Sequence, residues 1–115
     1  KIIKEAYKAA DELAKENISC EIIDLRTVRP LDTETILKSV KKTNRLVILE
    51  EAWPFGNVAT EITFQVQSKA FDYLDAPIEK INTADTPAPY SPVLLKEWLP
   101  NSEDVINSVK KVLYK

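Results

Sequence analysis

Leu46, Val47, Ile48 and Leu49 form an unbroken apolar run, closed by Arg45 on one side and by Glu50 and Glu51 on the other. A strand of that composition has no wet face. It must be covered on both sides, and sheets covered on both sides are parallel ones with helices above and below. The rest of the chain supplies such helices. Ile3, Ala6, Tyr7, Ala10, Leu13 and Ala14 recur at helical spacing, as do Ala59, Ile62, Val66 and Ala70, and again Val105, Ile106, Val109, Val112 and Leu113. Cys20 to Arg26 and Pro77 to Ile81 are short β-rich stretches between them. The predicted order is therefore αβαβαβα. It implies an α/β fold, a three-layer α/β/α sandwich on a mostly parallel sheet. Three strands make a small sheet, and one whose first element is a helix is expected to lack its first strand.

Local signals place the boundaries. Lys1 to Glu16 reads as a helix, with Lys8–Glu12 and Asp11–Lys15 as i,i+4 pairs and Asn17 as its C-terminal cap. Asp32 is a good N-cap for a helix running to about Lys42. Leu31 and Ile36 are placed to staple its start, and Lys41 and Lys42 suit the negative end of its dipole. A third helix is expected over Asn57 to Ala70. Pro87, Pro89 and Pro92 make 82–92 an irregular connection, followed by a turn of helix over Val93 to Trp98. Asn101 or Ser102 then caps a last helix. No repeat or linker divides residues 1–115, so one domain is expected, a piece of a longer protein: the chain has no methionine and begins in helix.

Composition excludes several functions. Sixteen Lys and Arg against eighteen Asp and Glu give a net charge of −2, which argues against nucleic acid as the main partner. No run of about 18 apolar residues exists to span a membrane. There is no histidine, the commonest general base, and only one glycine, Gly56, so neither dinucleotide nor phosphate loop can be built. No cluster has metal-ligand spacing. Cys20 is the only cysteine, which fits a reducing compartment and a buried, inert thiol.

The residues left to carry function are few. Glu50 and Glu51 end the central strand, where ligands sit in open α/β sheets. Adjacent strand residues point to opposite faces, so the two carboxylates diverge. A salt bridge to Arg26 or Arg29, or a contact with a neighbouring domain, is the plainer reading. Arg26 and Arg29 could clamp an anion, but pairing with Asp24, Glu50 or Glu51 outweighs that. Trp53, Phe55 and Trp98 either anchor an interface or close over the domain's own core. Asp72 and Asp75 are either solvated turn acids or a docking point for a basic partner.

The segments IDLRTVRPLD, EEAWPFG, FDYLDAP, DTPAPY and LPNSEDVINSVKKVL together closely resemble the C-terminal domain of the pyruvate dehydrogenase beta subunits. Those belong to the wider transketolase C-terminal group of thiamine-diphosphate enzymes. The likeness covers essentially the whole chain. One departure is that the family often has another glycine just past Gly56, where this chain has Asn57, Val58 and Ala59. The resemblance implies a five-stranded sheet in which a strand preceding the Lys1 helix lies inside. Either another chain supplies that strand, or the sheet is gapped and distorted.

The resemblance also implies a division of labour. Thiamine diphosphate, Mg²⁺ and the catalytic histidine belong to the other domain and the alpha subunit, and this domain binds no cofactor. The parent enzyme decarboxylates pyruvate and reductively acetylates lipoyl groups, in a bacterial cytoplasm or else a mitochondrial matrix or plastid. The domain pairs with a second beta subunit in an α2β2 assembly and docks the subunit-binding domain of the dihydrolipoamide acetyltransferase. The docking acid falls on Asp75, and the terminal carboxylate used with it falls on Lys115 if the chain ends there. Glu50, Glu51, Trp53 and Phe55 are the remaining contact candidates. The equivalent domain of another 2-oxoacid or acetoin dehydrogenase is an alternative. So is a stand-alone enzyme or ligand-binding domain with its site near Glu50, Arg26 and Trp53, or a regulatory pocket within the same complex.

Overall fold

The computed structural model describes residues 1–115. In chain order the elements are α1 (Ile3–Lys15), α2 (Thr33–Thr43), β1 (Val47–Leu49), α3 (Val58–Ala70), a 3-10 turn (Phe71–Tyr73), β2 (Glu79–Ile81), α4 (Pro92–Trp98) and α5 (Ser102–Val112). β1 and β2 pair in parallel, with Val47 opposite Glu79, Ile48 opposite Lys80 and Leu49 opposite Ile81. A parallel pair needs a crossover, and α3 provides it.

Alternation along β1 divides the core. Ile48 packs on one face with Ile36 and Val40 of α2 and Ala59, Ile62, Val66 and Ala70 of α3. Val47 and Leu49 face the other way and pack with Ala9 of α1, Val105 of α5 and Ile81. The fold is thus α/β, with helices on both faces of a parallel sheet. Side chains cap the helices as the sequence implies. Asp32 accepts from the Thr35 N–H at 3.1 Å, Asn57 from that of Thr60 at 3.0 Å, and Asn101 from that of Asp104 at 3.0 Å, closing a capping box. Asn17, at φ 61°, turns the chain out of α1.

The sheet is smaller than three strands. Cys20 to Arg26 is expected as a strand and is not one: residues 19–24 make no backbone–backbone hydrogen bond. The cause is the absence of a neighbour. β1 is paired on the side of β2 only, and nothing occupies its other edge. The strands proper are also shorter than the apolar runs containing them. On α1 the ion pairs are Glu5–Lys8 and Glu12–Lys15, three residues apart, rather than the i,i+4 pairs. Pro92 opens α4, since a proline at the first helical position loses no bond.

Two carboxylates link the fold to pH. The Lys8 ammonium, bonded to Glu5, holds the Glu5 carboxyl below its ordinary value, helped by the Ser102 N–H at the start of α5. The Thr35 hydroxyl and N–H do the same for Asp32. Both values fall on folding, so both groups contribute stability that is fully present above the ordinary carboxylate range and is lost as pH drops through their folded values. The double variant Glu5→Gln, Asp32→Asn is expected to lose less stability than the parent as pH falls below the ordinary carboxylate range, read by urea melts across that window. An unchanged slope would contradict the assignment. Separately, Ile48 is 8% exposed between two helices, so Ile48→Asp buries an unpaired charge. The expected outcome is loss of a cooperative thermal transition; a soluble, cooperatively melting variant would contradict its place in the core.

Candidate functional site

The candidate residues fall at two opposite ends of the sheet. At the carboxyl end, Glu50 is committed to the interior. Its Oε1 accepts from Asn82 Nδ2 at 2.9 Å, and its Oε2 accepts from the Ala59 N–H at 3.3 Å. The carboxylate therefore joins the ends of both strands to the first turn of α3, whose partial positive charge it also meets. The expected salt bridge from Glu50 or Glu51 to Arg26 or Arg29 does not form. Arg26 is bonded to Asp24 at 2.6 Å, and Arg29 is exposed. Glu51 is exposed, in the bend that follows β1.

The loop after β1 is tied down by its polar groups. Asn57 Nδ2 donates to the Trp53 carbonyl, and Lys80 Nζ donates to the Pro54 carbonyl at 2.8 Å. Gly56 takes φ +63°, which lets the chain turn into α3. The indole N–H groups of Trp53 and Trp98 both donate to the Thr86 carbonyl, at 2.8 and 2.9 Å. The two tryptophans thereby clasp the proline-rich connection. Phe55, in contrast, is 90% exposed at the tip of this anchored loop. Of the three aromatics, Trp98 serves the domain itself, Phe55 is left bare, and Trp53 does both.

Asp75 lies at the amino end, between the 3-10 turn and β2. Its N–H donates to the Asn44 carbonyl at 2.8 Å, and Asn44, at φ 64°, returns a side-chain bond to the Tyr73 carbonyl. The Asp75 carboxylate is 3.9 Å from Arg45, whose Nε donates to the Val112 carbonyl at 2.9 Å. Tyr114 Oη reaches the Asp75 carbonyl at 3.4 Å, and Lys115 follows, exposed. Asp75 and Lys115, forty residues apart, therefore share one end of the sheet. Lys111 paired with Glu79 at 2.8 Å extends this charged surface. Sequence reasoning missed Arg45 and Tyr114. Arg45 was visible as the cation preceding the apolar run, but nothing in the sequence says it reaches the end of α5.

No group of three or more His, Cys, Asp or Glu side chains converges to hold a metal. No step of a decarboxylation is assigned to this chain's residues. Burial raises the Cys20 thiol above its ordinary value, which suits an inert side chain. Of the residues near the strand ends, Glu50 is bonded to Asn82, Arg26 to Asp24 and Trp53 to the Thr86 carbonyl.

The family described as transketolase, C-terminal domain, matches residues 1–105. The chain belongs to that family. It is also similar to pyruvate dehydrogenase E1 component beta subunits. It is 55% identical to that of Rickettsia felis over 112 residues, 97% of this chain and 34% of the relative. For Rhizobium meliloti the identity is 54% over 110 residues, 96% of this chain and 24% of the relative. For the mitochondrial subunit of Dictyostelium discoideum it is 46% over 112 residues, 97% and 32%. The chain spans at most about a third of the length of these relatives.

A structural role for Glu50 has a direct consequence. Glu50→Ala removes two charge-assisted bonds and leaves Asn82 and the Ala59 N–H without a partner, so it is expected to lower stability by about 1.5–3 kcal/mol in a urea melt. A change no larger than that of an exposed position would contradict it.

Proposed function

We propose that this is the assembly domain of a pyruvate dehydrogenase beta subunit, with two separate contact surfaces. The amino end of the sheet, Asp75 with the Tyr114–Lys115 stretch, docks the basic subunit-binding domain of the dihydrolipoamide acetyltransferase. The carboxyl end, where Glu51, Trp53 and Phe55 are presented, meets the second beta subunit. The alpha subunit and the rest of the beta subunit supply thiamine diphosphate, Mg²⁺ and the chemistry. Bacterial and mitochondrial relatives fit a cytoplasmic or organellar enzyme, and no helix is long and apolar enough to cross a membrane.

The observation that carries this reading is the placement of Asp75 beside Tyr114 and Lys115 at one end, away from the bare Phe55 ring at the other. Asp75 has an exposed carboxylate on a backbone fixed by the Asn44 bond, so little order is lost on binding. Its pair with Arg45 is partly exposed and long, and such pairs contribute little, so an incoming cation can share or replace it. Phe55 is a large aromatic on a tied loop, the kind of side chain that concentrates binding energy in a buried interface.

Calorimetric titration of the assembled enzyme with the isolated subunit-binding domain tests the first surface. Asp75→Lys is expected to weaken binding at least about tenfold, with weaker salt dependence and an unchanged melting temperature. Unchanged affinity removes Asp75 from the site. For the second surface, Phe55→Asp is expected to weaken beta–beta association in sedimentation while leaving the domain folded. An assembly as tight as the parent's would contradict that role.

A further inference from the structure

We propose that the cleft between α2 and α3 is a binding site for a small phosphorylated molecule, whose phosphoryl group is held by the ammonium groups of Lys38, Lys41 and Lys69.

The cleft has a volume of about 460 Å³ and is lined by Thr33, Glu34, Leu37, Lys38 and Lys41 of α2 and by Lys69 of α3. Its position follows from how the two helices pack. Ile36 and Val40 of α2 and Ile62, Val66 and Ala70 of α3 enter one core cluster, so the helices lie side by side. Leu37 is half-buried against that cluster and forms the floor. Thr33, Leu37 and Lys41 recur every fourth residue and so share one side of α2, with Lys38 beside them. Lys69 reaches the same space from the last turn of α3.

The charge sets this cleft apart from the rest of the surface. Lys8, Lys15, Lys42, Lys110 and Lys111 each hold a carboxylate, and Lys80 donates to the Pro54 carbonyl. Lys38, Lys41 and Lys69 hold none. Glu34 is the one acid in the lining, and it does not pair with Lys38 four residues on. Three cations thus meet a single carboxylate in a chain of net charge −2. Helix dipoles favour Lys41 and Lys69, each in a last turn. They do not account for Lys38, which sits in mid-helix. The Lys41 ammonium is also placed: it lies 5.3 Å from the centroid of the Tyr73 ring, a contact that leaves N–H donors for a second partner.

These groups select a ligand class. Ammonium groups donate only, and three of them around one point match the oxygens of a phosphoryl group as point charges. The volume falls in the small-molecule range of about 300–1,000 Å³. Glu34 and Thr33 lie toward the start of α2, about 10 Å from Lys41 at 1.5 Å per residue. A carboxylate there repels a second anionic group and accepts from hydroxyls. The ligand is therefore anionic at one end and hydroxyl-bearing at the other. An acidic protein segment laid along α2 would have to pass Glu34, which disfavours it.

Residue-resolved acetylation of lysines in the assembled enzyme, read by mass spectrometry at constant ionic strength, tests the site. Glycerol phosphate at about three times its dissociation constant is expected to slow labelling of Lys38, Lys41 and Lys69 at least about threefold, with Lys4 and Lys96 unchanged. Lys38→Gln, at an exposed position, is expected to keep the parent's melting temperature and to abolish the protection of Lys41 and Lys69. Equal slowing at Lys4 and Lys96, or slowing at none of the lysines up to saturating salt, overturns the proposal. So does protection by a polyaspartate peptide with none by glycerol phosphate, which makes the cleft a protein-docking surface. Three lysines that are already unreactive without ligand overturn it too, because the assembly then covers the cleft.

Discussion

The parallel pairing of β1 with β2 under helices on both faces is the constraint on which the rest depends. Only three residues of each strand are paired, yet alternation within β1 sends Ile48 to α2 and α3 and its neighbours Val47 and Leu49 to α1 and α5. Both halves of the core therefore meet at one strand. Its backbone bonds reach β2 from one edge only. Burial of aliphatic surface on two faces, at about 25 cal/mol per Å² of apolar area, stabilises a sheet too small to stand alone. Glu50 extends this control to the strand end, since its two oxygens fix the start of α3 and the loop after β2.

Periodicity made the helices legible. Ala59, Ile62, Val66 and Ala70 recur at helical spacing and are all buried, and Asp32, Asn57 and Asn101 mark helix starts with side chains that the structure finds bonded. The Leu46–Leu49 run marked the buried strand. Cys20 to Arg26 was misread as a strand for a physical reason: β-propensity reports fitness for a pleated, covered surface, not the presence of a partner.

The candidate residues were legible singly and not in their grouping. Asp75, Glu50 and Phe55 stand out by residue type and position. Which of them share a surface depends on the closure of α5 against the sheet, made by Arg45 reaching the Val112 carbonyl and Tyr114 reaching the Asp75 carbonyl. These contacts span tens of residues and leave no local pattern. Likewise, the charge of Glu50 suggests an ion pair, whereas a neutral amide and a helix N–H take both of its oxygens. Two carboxylates of similar appearance thus sit differently: Glu50 is bonded to Asn82 and the Ala59 N–H, and Asp75 is exposed beside Arg45.

An assembly domain with separate contact surfaces at the two ends of its sheet is the central claim. Hydroxyl-radical footprinting of the assembled enzyme, with and without the acetyltransferase subunit-binding domain, tests it most directly. The account predicts protection at Asp75 and Tyr114 on adding that domain, with the reactivity of Trp53 and Phe55 unchanged. Protection of Trp53 and Phe55 with Asp75 and Tyr114 unaffected would contradict it.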